Sequence, residues 1–303
     1  MNLLLQKIAH TFDEVVRKKY FFAKSVSVVD IWTLLIDKLL LYNIDQRAAA
    51  VAYNFTLAVF PTILFLFTLI PYIPIDDLDK IIMKNLRGGM PASIYEFASN
   101  TIYDIVIRKQ GGILSFGFLL ALFTATNGMG ALMTAFNMAN RTVEGRKRSY
   151  VRTRLVALWL TLVLSLVMIT AILGIIVGDF LLVYMGKKIL ANETIILWLI
   201  GALRYVTMFG TFWAGVSIIY RYAPDTKYGW RLFNLGSFTT ALLIILATAG
   251  FSYYLSNFST YNKLYGSIGT IIALVIWFYL IALMLIFGFE LNISIWKAKH
   301  HRK

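Results

Sequence analysis

Arg47, Asn54, Asn127, Thr134, Asn137 and Glu290 carry the groups in this sequence best placed to bind or react, because each lies in or beside a long apolar run. Guanidinium, carboxylate, amide and hydroxyl groups can hold a polar ligand or exchange hydrogen bonds. A polar group facing hydrocarbon is expensive, so each must find a partner or a ligand within a bundle. Asp179 and Arg204 place two further charges inside apolar runs, Arg204 roughly 15 Å along its helix axis. A structural pair between them is the first reading, with a substrate or gating role as the alternative.

Hydrolytic or redox chemistry has little to work with. Metal-dependent RNA hydrolysis needs clustered histidines and carboxylates around one or two ions. His10, His300 and His301 are the only histidines and all lie near the ends of the sequence. The acidic "DDLD" at 76–79 reads as a helix start, where aspartates favour the N-terminal dipole. There is no cysteine, no Walker loop and no dinucleotide fingerprint, and "YGSIG" is a small-residue helix start. The expectation is no catalytic residue, no metal site and no cofactor.

The elements that position the polar groups follow from solvent. Apolar residues make up 59% of the 303 positions and charged ones 15%, against about 25% in a soluble domain. Runs long enough to cross a hydrocarbon core of about 30 Å recur along the chain. The fold class is therefore all-α, a polytopic membrane bundle. Six spans are expected near 51–72, 113–137, 155–180, 195–219, 232–255 and 268–296. Residues 28–44 alternate at helical spacing but are too short and too charged to span, which predicts an interfacial helix. The 73–112 loop, broken by "RGGMPAS", predicts short external helices on the membrane surface. The organisation is thus an N-terminal segment to residue 50, a transmembrane domain over 51–296 and a basic tail over 297–303. The opening residues lack the apolar length and cleavage site of a removable signal.

Charge sets the orientation. On the side of the two termini the sequence places twenty Lys and Arg, against eight on the other. Positive charge marks the cytoplasmic side, so both termini are read as cytoplasmic. The net charge of +14 is then explained by anchors beside anionic lipid, with no nucleic-acid partner.

Two helix faces join the polar residues. Arg47, Ala50, Asn54, Ala58 and Pro61 share one face of the first span; Thr124, Asn127, Gly130, Ala131, Thr134, Asn137 and Arg141 share one of the second. Glu290 comes to a similar depth on the last span, with Arg47 its first-choice partner and Arg141 its second. The pattern predicts a polar cavity open to the cytoplasm. Helix packing by small residues is the competing reading of the glycines and alanines. Pro61 is tolerated because neighbouring helices can satisfy the freed carbonyl.

Four segments together resemble the YihY/virulence factor BrkB family of bacterial inner-membrane proteins, some of which carry the label ribonuclease BN. They are "DQRAAAVAYNFTLAVFP", "LFTATNGMGALMTAFNMAN", "YRYAPDTKYGWRLFNLGSF" and "YNKLYGSIGTIIALVIWFYLIALMLIFGFELN". Asn234-Leu235 stand where the family commonly has a proline. The resemblance implies six helices and an inner-membrane location. The functional expectation is a transporter-like protein for a neutral, zwitterionic or amphiphilic solute or lipid, or one that assists envelope lipid traffic. A non-transporting envelope scaffold or assembly factor is the alternative, and a ribonuclease the third. Membrane lipids are the expected partners, and the sequence leaves the oligomeric state open. Reporter fusions after Asn140, after Thr226 and in the tail should give cytoplasmic signals, and fusions near Gly89, Lys187 and Asn262 external ones. An external signal from the 138–154 loop would overturn the orientation.

Overall fold

In apolar solvent the backbone must satisfy its own hydrogen bonds, and a helix does so within one segment. The computed structural model describes residues 35–36, 43–72, 111–139, 148–189, 193–225, 231–257 and 260–300. They form α1 (Ile44–Leu69), followed by a 3-10 turn (Ile70–Tyr72), then α2 (Gly111–Ala139), α3 (Tyr150–Ile189), α4 (Glu193–Tyr222), α5 (Leu235–Asn257) and α6 (Thr260–His300). Each holds a stretch long and apolar enough to cross a membrane. Every helix packs on its sequence neighbour, and α6 returns to α1, with a lesser contact to α2. The six helices close into a ring.

The interfacial helix over 28–44 and the external helices over 73–112 fall outside the described residues, apart from the helical Leu35 and Ile36, residues 43–44, and Gly111 and Gly112 at the start of α2. The helices outrun the apolar segments. α1 begins at Ile44, so the boundary expected at residue 50 falls within it, and α6 continues to His300, through the start of the expected tail. Hydropathy marks the hydrocarbon slab, whereas a helix can continue into the headgroup region. Asn43 starts α1 in a left-handed conformation (φ 44°), which asparagine tolerates. Its carbonyl accepts the Arg47 N–H at 3.2 Å, and Asp45 suits the first turn of the helix dipole. The helix runs on through Pro61, and beside it Thr62 Oγ1 donates to Ala58 O at 2.7 Å.

The core gathers at one end of the ring, where α1, α3 and α5 begin and α2, α4 and α6 finish. On α6 the buried side chains start at Ala282, whereas Ile271, Val275 and Ile276 are exposed. On α4 they are Val216, Ser217, Ile219 and Tyr220, with Leu203, Val206 and Met208 exposed. Phe136 of α2 stacks on Phe289 of α6 with centroids 4.2 Å apart, and Tyr220 meets both rings edge-on. This buried aromatic triad joins α2, α4 and α6.

α5 and α6 approach closely at Gly236 and Gly288. A Cβ at Gly288 would collide with Thr240 Oγ1 and lie 2.8 Å from the Tyr220 hydroxyl; one at Gly236 would strike the Asn292 amide and the Gly288 carbonyl. The seam accepts no side chain at either position. Gly288→Ala should therefore lower stability by about 1–3 kcal/mol through overpacking, read as thermal unfolding in detergent. Gly250→Ala, where nothing lies within 4 Å, should leave it unchanged or slightly raised.

Candidate functional site

The segment "GFELN" supplies the site from α6. At about 100° per residue, Gly288 and Asn292 share one face and Glu290 lies some 200° around from each. The first face meets α5 and the second meets α1. Arg47 Nη1 and Nη2 of α1 both donate to Glu290 Oε1, at 3.0 and 2.9 Å. The two side chains are 4% and 0% exposed. An ion pair thus sits fully buried on the seam where the first helix meets the last.

On its other face α6 holds the start of α5. Asn234 is the N-cap: its Oδ1 accepts the Ser237 N–H at 2.9 Å, and Ser237 Oγ accepts the Asn234 N–H at 3.3 Å, a reciprocal capping arrangement. Asn292 completes it. Its Oδ1 accepts the Gly236 N–H at 2.9 Å, and its Nδ2 donates to Asn234 Oδ1 at 2.6 Å. Ser217 Oγ and Trp213 Nε1 from α4 donate to Ser237 Oγ. Tyr220 donates to Leu285 O at 2.7 Å and shares a hydrogen bond with Thr240 Oγ1 at 2.7 Å. Three helices are tied by one buried polar network directly behind the ion pair.

A third cluster closes the rim. Arg148 donates to the carbonyls of Tyr222, Ala223 and Pro224, capping the C-terminus of α4, and lies 3.6 Å from Asp225. Burial lowers the Arg148 pKa and the Asp225 carboxylate opposes that shift. Asn137 Oδ1 accepts the Asp225 N–H at 3.0 Å, bringing in the end of α2.

Of the six polar residues, Arg47 and Glu290 meet, and each of the other four has a separate contact. Asn54 donates to Ala50 O of its own helix, and Thr134, exposed, donates to Gly130 O. Asn127 accepts from Arg154 of α3, and Asn137 belongs to the rim. The buried stripe of α1 is Arg47, Ala48, Val51, Ala52 and Thr56, with Ala50 exposed, and that of α2 includes Leu132, Met133 and Phe136. Of the expected α1 face only Arg47 belongs to that stripe, and on the expected α2 face Thr134 is exposed. Lipid is as apolar as leucine, so polarity alone does not decide which face turns inward; close packing and satisfied hydrogen bonds do. The side chains of Asp179 and Arg204 lie outside the described residues. Arg148 and Arg154 entered the sequence reading only as anchors, and the contacts of Tyr220 and Asn292 were not foreseen. The 2-residue spacing in "GFELN" was the available signal, since it aims polar groups at two neighbours at once.

The match to known sequences spans this architecture. Residues 35–303 match the family model described as virulence factor BrkB. The chain belongs to that family. It is 31% identical over 273 residues to the ribonuclease-like protein YfkH of Bacillus subtilis, covering 88% of this chain and 94% of that one. It is 26% identical over 243 residues to a UPF0761 membrane protein of Paraburkholderia xenovorans, covering 78% of this chain and 53% of the relative. A UPF0761 membrane protein of Xanthomonas campestris is 23% identical over 269 residues, with 87% and 59% covered. The chain thus spans nearly all of the Bacillus relative and a little over half of the two longer ones. No solved structure matches. With its six spans, this BrkB-family chain is a multi-pass inner-membrane protein.

Breaking the ion pair from one side strands a charge. Glu290→Gln should cost about 3–5 kcal/mol, whereas the double change Arg47→Met and Glu290→Met should recover most of the loss. Thermal unfolding of Arg47→Met, Glu290→Met and the double variant gives the coupling.

Proposed function

We propose that this protein is transporter-like and moves a neutral, zwitterionic or amphiphilic solute or lipid across the bacterial inner membrane, or assists envelope lipid traffic. Both termini face the cytoplasm in this reading, following the excess of basic residues on their side. The observation that carries the proposal is the fully buried Arg47–Glu290 pair on the seam between α1 and α6. Desolvating two charges brings little net stability, and apolar residues of similar volume often serve as well. An ionisable pair within a membrane is by default a mark of function. At this seam it gives the cytoplasmic end two discrete arrangements, paired and sealed or parted and hydrated. The other buried polar groups at the sealed end, Ser217, Tyr220, Ser237, Thr240, Asn292 and Ser294, are uncharged, which suits a substrate of little net charge better than an inorganic ion.

The scaffold reading draws support from the same network, since Asn292 and Ser237 tie helices as fixed glue would. A ribonuclease would need a metal-holding cluster; among the described residues no three of His, Cys, Asp or Glu come together, and we place that reading last.

Reconstitution into liposomes, with lipid-scrambling and solute-flux assays run side by side, distinguishes the three. Wild type should exceed empty vesicles in one assay, and the folded Arg47→Met, Glu290→Met double variant should change that rate several-fold. No flux from folded protein in either assay favours the scaffold. Divalent-dependent cleavage of RNA by the purified protein would instead restore the nuclease.

A further inference from the structure

Arg154 is a charged side chain for which the transport reading has no use. It lies one turn into α3, within the apolar span that starts at Tyr150. Its Nη1 donates to Asn127 Oδ1 and its Nε to the Tyr150 hydroxyl at 3.1 Å, with the guanidinium carbon 5.3 Å from the Tyr150 ring centroid. Both partner residues are neutral. Arg47 has Glu290 and Arg148 has Asp225, but among the described residues no carboxylate forms an ion pair with Arg154.

Tyr150 opens α3, so Arg154 stands only about 6 Å along the axis from that helix end, where a side chain of its length reaches the headgroup level. Its Nη1 turns sideways to Asn127 of the neighbouring helix. Half-buried, Arg154 is still reachable from outside the bundle.

The groove beside it is open. Asn127, Gly130 and Thr134 fall on one face of α2, at i, i+3 and i+7. Nothing lies within 4 Å of where a Gly130 Cβ would be, and Thr134 is exposed. Val151 and Leu155 of α3 and Met138 of α2 flank the strip as exposed apolar surface. Guanidinium, amide and hydroxyl line an open polar strip with greasy margins.

We propose that the α2–α3 groove at Arg154 binds the phosphate of an anionic membrane lipid, with the acyl chains lying along the exposed apolar side chains. A guanidinium in a low-dielectric setting needs a counter-anion, and a phosphodiester oxygen offers a charge-assisted hydrogen bond that its neutral partners do not. The lipid enters laterally from the bilayer, so the site stands whether or not the protein transports anything.

The test uses full-length protein in detergent, with lipid binding followed by native mass spectrometry. Phosphatidylglycerol, phosphatidylcholine and inorganic phosphate are titrated separately against wild type, Arg154→Gln, Asn127→Asp and the control Arg152→Gln. Wild type should prefer phosphatidylglycerol to phosphatidylcholine. Arg154→Gln should bind it about tenfold more weakly, the loss of one charge-assisted contact, and Arg152→Gln should match wild type. Asn127→Asp supplies the missing carboxylate inside the protein; it should fold even if Arg154→Gln does not, and should lose the preference equally. Unchanged binding in Arg154→Gln or Asn127→Asp, or an equal loss in Arg152→Gln, overturns the site. Occupancy by inorganic phosphate as readily as by phosphatidylglycerol overturns the lipid assignment.

Discussion

Holding the Arg47 guanidinium 2.9 Å from the Glu290 carboxylate, out of reach of water, fixes both the rotation of α1 and the rotation of α6. A charge so placed has one acceptable geometry, because an unpaired ion in hydrocarbon is heavily penalised. Once Glu290 faces α1, helical geometry turns Gly288 and Asn292 toward α5. The contact at Gly236 and the cap at Asn234 follow from that rotation, and Ser237 carries it on to α4. Most of the ring's packed end can be traced outward from one pair of charges.

The spanning helices also show how hydroxyls are managed where water is absent. Thr56, Thr62, Thr124 and Thr161 each return a hydrogen bond to a carbonyl one turn back. Such threonines occupy themselves and leave no donor for a neighbour. Tyr220 and Ser237 behave differently, because their hydroxyls reach another helix. Polarity on a spanning helix therefore has two uses. These four threonines bond locally, while Tyr220, Asn292 and Ser237 tie helices together.

Sequence patterns revealed the solvent, the six spans and the family, because length and hydropathy state those directly. They mark apolar content and not helix ends, so α1 begins at Ile44 and α6 runs to His300, beyond the apolar stretches read near 51–72 and 268–296. Nor do they tell which face of a span is the packed one. The small and polar residues at Ala50, Asn54, Gly130 and Thr134 looked like an interior surface, yet Val51, Leu132 and Phe136 fill the core. In a soluble helix, periodic polarity reports solvent. Among lipids the outer face is apolar as well, and only the tertiary contacts tell the two apart. The role of Arg154 was hidden for a related reason, because a basic residue at the edge of a span looks the same whether it points to the headgroups or sideways to a neighbouring helix.

The seam between α1 and α6 also bears on how the molecule is made. Arg47 and Glu290 are separated by 243 positions. At about 5–20 residues per second, the first helix emerges on the order of ten seconds or more before its counter-charge exists. Until then α1 can pack on α2, but its arginine must stay near the headgroups, where water and lipid phosphate can hold it. Arrival of the last helix lets that charge sink and the ring close. A chain that stops short of the last helix leaves this arginine without its counter-charge, and the full-length chain hides it.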